Sequence, residues 1–416
     1  MQISESAPTV EVALNAEDAP NVEGALTTEG VPKVESTEYR SGFYREAGFY
    51  DAHSLPDYGA QSPVTREAFA YDFFPAAADS STAETSATEP SSPAPLLVWV
   101  HGGAWRFGTN QALRDTILRA PSGEQPNTQA LMRAAFQQAG WAVASINYRY
   151  SHQALFPGAL HDVKEAVRFF RANAHEFGID PQRIAVAGGS AGGHLSMMAA
   201  LAGPDAAGYA SGDPELREYY EGRASSNYPG VSSAVAAAVP FYGVSDLRTI
   251  FSDRPLAGYS LVHPDDDGAE WRLLGCDYPV REEREWVERV PGIDRERALQ
   301  NWERANPLDL ARGNFAHRVY AGGSAGEPSR KNFDEKQTEE QATNRKCAPI
   351  MLVHGIADSC VPYQQSVRVY QALRTRQVPT DLVLVPGAEH GDSRCFSPEI
   401  VQRILSFLNA TMNATV

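Results

Sequence analysis

Apolar and polar positions follow two different rhythms along this chain. Short continuous apolar runs cover Leu96 to Val100, Trp141 to Tyr148, Ile184 to Ala187, Val235 to Phe241, Ile350 to Val353 and Leu382 to Val385. Runs of that kind predict strands buried on both faces, as in a parallel sheet. Ala68 to Phe74 predicts one more strand. Between Gly158 and Phe177, the residues Leu160, Val163, Val167, Phe170 and Ala174 recur at three- and four-residue steps. That spacing predicts an amphipathic helix, which Gly178-Ile179-Asp180-Pro181 ends. A second helix is expected over Ala191 to Leu201. Strands alternating with helices imply right-handed crossovers and an α/β fold built on a doubly wound, mostly parallel sheet.

Several stretches break the rhythm. Residues 1–38 carry Pro8-Thr9-Val10-Glu11, Pro20-Asn21-Val22-Glu23 and Pro32-Lys33-Val34-Glu35, a Pro-x-Val-Glu unit recurring every twelve residues. The unit is acidic and free of aromatic residues, so it cannot bury enough surface to offset chain entropy. We expect a disordered acidic tail, with the repeat either a duplicated solvated segment or a docking element. The catalytic domain is expected over 39–416. Ala76 to Pro95 reads as a long loop rich in Ala, Ser, Thr and Pro. Gly203 to Gly230 is polar, without strand alternation. Ile250 to Lys346 holds helical pieces at Glu282 to Val290 and Arg295 to Arg304. Insertions belong above the strand C-termini, so 250–346 is expected to form a helical lid or cap, the alternative being a remote surface decoration.

The most informative chemistry lies at Gly188-Gly189-Ser190-Ala191-Gly192, directly after the apolar run Ile184 to Ala187. This G-x-S-x-G pattern fits a sharp strand-to-helix turn that holds a serine exposed and demands small residues two positions either side. A serine hydroxyl is a weak nucleophile at neutral pH and needs a base. His390, in Pro386-Gly387-Ala388-Glu389-His390-Gly391 after the last strand, has the right place and titration range. Asp358, in His354-Gly355-Ile356-Ala357-Asp358, is the expected carboxylate, with Asp392 and Asp246 as rivals. The chain order Ser190, Asp358, His390 is that of a known serine-hydrolase arrangement. His101-Gly102-Gly103-Ala104-Trp105 follows the Leu96 to Val100 strand. Gly103 and Ala104, together with Ala191, are expected to offer N–H groups to an oxyanion. His101 is expected to orient that loop, and His194 and His354 to be structural.

Composition narrows the partners. The chain has 416 residues and a net charge of −16, which argues against nucleic acid or an anionic membrane as partner. No apolar run is long enough for a transmembrane helix, and Met1-Gln2-Ile3-Ser4-Glu5 lacks the start of a signal peptide, so a cytoplasmic location is expected. The four cysteines, Cys276, Cys347, Cys360 and Cys395, are too few for a disulfide scaffold and are expected to be reduced. Cys360 and Cys395 follow the expected acid and base closely, so a disulfide clamping those loops is conceivable. No Cys/His spacing suggests zinc, no cofactor is called for, and Asp265-Asp266-Asp267 reads as a solvated loop.

At this point the chain resembles the esterase/lipase superfamily of α/β-hydrolases, in the branch related to hormone-sensitive lipase and to feruloyl and acetyl-xylan esterases. The resemblance rests on His101 to Trp105, Asn147 to Ser151, Phe156 to Leu195, Phe241 to Leu247, His354 to Ser366 and Pro386 to Gly391. It implies the α/β-hydrolase fold, with nucleophile, acid and base at Ser190, Asp358 and His390 and oxyanion donors at Gly103, Ala104 and Ala191. Ala104 departs from the third glycine of many relatives but still offers its N–H. The implied function is a serine carboxylesterase for short-chain or aromatic esters, its partner a small-molecule ester. Tyr259, Trp271, Tyr278 and Trp302 could line its pocket or belong to the core. The alternatives are an arylformamidase or amidase, a peptidase using the same triad, and a non-catalytic ligand-binding relative. The residues before His101 are too few for the propeller of prolyl-oligopeptidase-like enzymes.

Overall fold

The computed structural model describes residues 39–45, 64–77, 92–115, 117–120, 123–204, 214–223, 226–259, 268–275, 295–313 and 347–413. The repeat tail, most of the Ala76 to Pro95 loop, the Glu282 to Val290 helix, Asp265 to Asp267, Cys276 and Tyr278 lie outside them. In chain order the strands are β1 (Arg40–Phe43), β2 (Ala70–Phe74), β3 (Ala94–Val100), β4 (Ile117–Ala120), β5 (Gly123–Pro126), β6 (Ala142–Ile146), β7 (Ile179–Gly189), β8 (Ala237–Phe241), β9 (Ile350–Gly355) and β10 (Thr380–Val385). β4 and β5 form a separate antiparallel hairpin. The other eight make one sheet in the order β1-β2-β6-β3-β7-β8-β9-β10. β1–β2 and β2–β6 pair antiparallel, and every other pair in this sheet is parallel.

The continuous apolar runs divide by parity between two cores. Leu96, Val98 and Val100 enter one core while Leu97 and Trp99 enter the other. Ile184 and Val186 part from Ala185 and Ala187 in the same way, as do Ile350 and Leu352 from Met351 and Val353. Side chains of a strand alternate across the sheet, so a strand covered on both faces must be apolar throughout.

The helices supply the two covers. They are α1 (Thr128–Gln138), α2 (Gly158–Ala172), α3 (Ala174–Phe177), α4 (Ala191–Leu201), α5 (Pro214–Glu221), α6 (Ile250–Leu256), α7 (Ala269–Leu274), α8 (Arg295–Arg304), α9 (Pro307–Ala311), α10 (Gln364–Thr375) and α11 (Pro398–Asn413). α2, α4 and α10 bring Leu160, Val163, Leu195 and Val369 to the first core. α1 and α11 bring Met132, Phe136, Ile404 and Leu408 to the second. The architecture is the doubly wound sheet of an α/β-hydrolase fold.

Most strand ends differ from the sequence reading by a few residues, and two boundaries differ for a visible reason. Ala68 and Phe69 are buried but belong to a 3-10 turn, Arg66–Phe69, and the strand starts at Ala70. Burial keeps the run apolar even where the backbone turns. The helix expected over 158–177 stops at Ala172, where Asn173 bonds back to the Phe169 carbonyl. α3 then carries Ala174 and Phe177 into the same core, and Gly178 closes it in the left-handed conformation at φ 63°.

The polar face of α2 is not open to water. Asp162 is fully buried, and its carboxylate takes the Arg149 backbone N–H at 2.9 Å and two guanidinium bonds at 2.8 Å each. Farther along, Lys164 and Arg168 both reach Glu221 of α5 at 2.6 Å. Ser226 and the Asn227 N–H hold Glu165. The polar stretch after Gly203 therefore includes the cover of this charged face. Burial works against an ionised Glu221, but the Lys164 and Arg168 charges outweigh it and hold the carboxyl down at about 2.

Asp162→Asn keeps the shape and leaves the buried Arg149 guanidinium without its counter-charge. We expect a loss of about 3–5 kcal/mol in unfolding free energy by urea denaturation. A loss below about 1 kcal/mol would mean that the pair is not the anchor described.

Candidate active site

Ser190 sits where β7 becomes α4, with φ 55° and ψ −117°, a conformation costly for a residue with a Cβ. Its N–H bonds the Phe241 carbonyl at 2.9 Å, tying the turn to the end of β8. The flanking glycines are forced by the end of β3. A Cβ at Gly188 would lie 2.4 Å from the Val100 carbonyl oxygen, and one at Gly192 would lie 2.0 Å from it. The serine is thereby lifted above the C-terminal ends of the central strands.

His390 approaches from the loop after β10, with Gly387 (φ 66°) and Gly391 (φ 75°) in the left-handed region on either side. Its Nε2 lies 2.9 Å from Ser190 Oγ and its Nδ1 lies 2.8 Å from Asp358 Oδ2. Asp358 is fully buried after β9. Its Oδ1 accepts from the N–H groups of Cys360 (3.0 Å) and Val361 (2.7 Å), and Oδ2 lies 3.4 Å from His354 Nε2. Burial alone would raise the Asp358 pKa, but the contacts from His354 and His390 override it and hold the carboxyl well below its ordinary value. The rivals are engaged elsewhere: Asp392 pairs with Arg394 and Asp246 with Arg248.

The glycine loop after β3 lies against this turn. A Cβ at Gly102 would meet the Gly189 carbonyl at 2.9 Å and the Ser190 Cβ at 3.4 Å. Gly103 (φ 111°), Ala104 (φ 51°) and Trp105 (φ 56°) curl the backbone, and the Arg106 and Phe107 N–H groups close the turn onto the Gly103 carbonyl. The N–H groups of Gly103, Ala104 and Ala191 have no acceptor among the described residues. His101 donates from Nδ1 to the Gly102 carbonyl at 2.7 Å and stacks on Tyr148 with centroids 4.4 Å apart. His194 points away from the serine and bonds the Ala305 carbonyl at 2.8 Å.

A cavity of about 730 Å³ opens over Ser190 and His390. Gly103, Ala104 and Trp105 form one side, and Ile250, Arg254, Ala269 and Glu270 of α6 and α7 form another. The described helices of 250–346 thus contribute to the cavity wall. Arg254 bonds the Cys360 carbonyl at 2.8 Å, joining that wall to the acid loop. Among the aromatic residues weighed from sequence, Trp302 is buried in the core, and neither Tyr259 nor Trp271 lines the cavity. Cys360 and Cys395 are not joined by a disulfide.

Sequence reasoning missed Tyr242. It holds φ 38°, packs its ring edge to face against His390 with centroids 4.9 Å apart, and lines the cavity. Its place just past the C-terminal end of a central strand was the available signal. Glu389 was also missed. It joins the base loop to the acid loop by accepting from Ser359 N and Oγ at 3.0 Å each.

Fold and site together define the α/β-hydrolase class. Comparison with known proteins agrees. A family model described as BD-FAE matches residues 85–290, and one described as the prolyl oligopeptidase family matches 308–415. Esterase LipQ of Mycobacterium tuberculosis is 35% identical over 158 residues, 38% of this chain and 30% of LipQ. Esterase LipC of the same organism is 29% identical over 303 residues, 73% of this chain and 54% of LipC. The chain therefore spans about half or less of the length of these curated relatives. Among solved structures, a truncated carbohydrate esterase from gut microbiota shares the fold at TM-score 0.54 and 22% identity, covering 91% of this chain and 98% of that one. An esterase from Thermogutta terrifontis, Est2 with propionate bound, does so at TM-score 0.50 and 19% identity, covering 91% and 96%. The chain has the α/β-hydrolase fold, and its sequence is similar to those of esterases. No helix among the described residues is long and apolar enough to cross a membrane.

The two histidines packed behind the serine make stability depend on pH. Burial lowers His101 and His194 to about 4 each, so both are neutral in the folded protein. A base depressed on folding contributes stability that is complete above its unfolded pKa of about 6.5 and is lost as pH falls through the folded value. Urea midpoints should hold near pH 7 and decline between about pH 6.5 and 4, by up to about 3 kcal/mol per histidine. A midpoint constant from pH 7 down to 4.5 would contradict this.

Proposed function

We propose that this chain is a serine carboxylesterase acting on short-chain or aromatic esters of small molecules. The observation that carries the reading is the unbroken contact series from Ser190 Oγ through His390 to Asp358, at 2.9 and 2.8 Å, on the floor of a cavity beside N–H groups that have no acceptor among the described residues.

In this reading Ser190 Oγ attacks the ester carbonyl carbon while His390 Nε2 takes its proton. The oxygen that becomes negative is received by the N–H groups of Gly103, Ala104 and Ala191, each worth roughly 2.7–4 kcal/mol of barrier. Asp358 keeps Nδ1 protonated and stabilises the imidazolium. As the tetrahedral species collapses, His390 returns its proton to the departing alcohol and an acyl-serine remains. Water, deprotonated by His390, then releases the acid. Every group needed belongs to the chain, so no cofactor enters. The cavity volume suits a small ester, being within the range of small-molecule sites. The stretch 250–346 serves as a cap, and residues 1–38 as a tail outside the catalytic domain.

A second reading, amide hydrolysis by the same residues, is favoured by the match of residues 308–415 to the prolyl oligopeptidase family. A panel of p-nitrophenyl acetate, butyrate and octanoate with a phenolic aromatic ester, run against anilides and formamides, separates the two. We expect ester turnover to dominate and to fall with chain length. Asp358→Asn should lower kcat roughly 10³–10⁴-fold with an unchanged urea midpoint, and Ser190→Ala should abolish labelling by a fluorophosphonate. Wild-type protein that neither labels nor turns over any ester would favour a ligand-binding relative.

A further inference from the structure

Asp358 faces a second imidazole that ester hydrolysis by the three residues does not call upon. His354 lies on β9, fully buried, four positions before the acid. Its Nε2 is 2.7 Å from the Val361 carbonyl oxygen and 3.4 Å from Asp358 Oδ2, and its Nδ1 is 2.7 Å from Ser366 Oγ on α10. These neighbours fix the tautomer. A carbonyl can only accept, so Nε2 carries the hydrogen, Nδ1 accepts, and Ser366 donates its hydroxyl. The single N–H therefore faces the Val361 carbonyl closely and the carboxylate at longer range. Val361 returns the contact from its other side, its own N–H donating to Asp358 Oδ1 at 2.7 Å. His354 holds the acid turn by its hydrogen bond to Val361 and places the same N–H 3.4 Å from the carboxylate, within electrostatic reach.

We propose that His354 is a positioning residue: it fixes the Asp358 turn and lies against the same carboxylate oxygen as His390, setting how firmly the acid holds the base. The inference rests on the Ser190, His390 and Asp358 reading. It accounts for a buried polar ring where an apolar residue would otherwise suffice at the end of a buried strand, since a buried polar group is costly unless its partners repay it. Among the described residues, Tyr242 at the end of β8, Cys395 near the base loop and Tyr259 after α6 interact electrostatically with Asp358, and Glu389 bonds Ser359 and the His390 N–H. All of them stay in place in the variants below. With the His354 N–H removed, the carboxylate loses the positive end of one nearby imidazole dipole. His390 is then held more tightly in its protonated form, and the acid limb of kcat/KM moves to higher pH.

The test measures kcat, KM and the pH profile of kcat/KM on p-nitrophenyl acetate for the full chain and for Asp358→Asn, His354→Leu, His354→Gln and Ser366→Ala. We expect His354→Leu to lose about 10–100-fold in kcat with KM nearly unchanged. Its acid limb should rise by about half a pH unit. Glutamine carries an N–H that can reach the same two acceptors, so His354→Gln should recover to within roughly threefold of wild type. A residue that only fills space would show neither the pH shift nor the rescue. The proposal is overturned by a folded His354→Leu with wild-type kcat and acid limb, or by a His354→Gln as impaired as the leucine variant. Should His354→Leu fail to fold, Ser366→Ala decides, with an expected loss of about two- to fivefold in kcat; wild-type kcat there overturns the proposal. Asp358→Asn keeps the two failures apart. Full activity in it would defeat the triad reading itself, whereas an inactive Asp358→Asn beside wild-type His354 variants would defeat this inference alone.

Discussion

The close approach of one carbonyl to two glycines sets the geometry on which the site depends. The Val100 oxygen at the end of β3 presses against Gly188 and Gly192, leaving no room for a side chain at either. That contact lets the β7 to α4 turn pass directly over the end of the neighbouring strand. The turn holds Ser190 at φ 55°, and the loop after β3 reaches Gly189 and Ser190 within van der Waals distance. Ser190 and the loop that carries the proposed oxyanion donors are thus two sides of one steric contact between adjacent parallel strands, and neither can move without the other. A substitution at Gly188 or Gly192 would displace both at once.

Around that contact the charges are arranged in one direction. A fully buried carboxylate is costly unless hydrogen-bonded, and Asp358 receives two backbone N–H groups on one oxygen and two imidazoles on the other. The acid is ionised and rigid before any ligand arrives. His390 is half-buried by comparison and stands on a glycine-flanked loop, an exposure that suits the proton transfer proposed for it. The other charged cluster, on α2, lies outside this site and serves to bind the polar stretch after Gly203 to the body.

Strands buried on both faces were legible because their apolar runs cannot be mistaken for surface, and the three site residues were legible because each follows such a run. β1 was not, since Arg40-Ser41-Gly42-Phe43 is an edge strand whose pairing to β2 needs no apolar pattern. α11 and α1 escaped notice although Met132, Phe136, Ile404 and Leu408 sit in the second core. Tyr242 and Glu389 matter through contacts between loops far apart in the chain, which no local spacing records. His354 was read as structural because a histidine at a strand end carries no sign of what lies beside it. Its nearness to Asp358 is a product of the turn that follows.

The helices of 250–346 do not rest on the body as a detachable piece. The Ala305 carbonyl is held by His194, one turn along the helix that begins at the serine, and the Leu273 carbonyl receives the Phe156 N–H. The Ser245 carbonyl receives the N–H of Leu308, and Trp105, in the oxyanion loop, packs edge to face on His194. Transplanting this region from a relative would therefore disturb the packing behind the nucleophile as well as the mouth of the cavity. The shape of the cavity is therefore more readily altered by single changes at Ile250, Arg254, Ala269 or Glu270 than by exchange of the whole region.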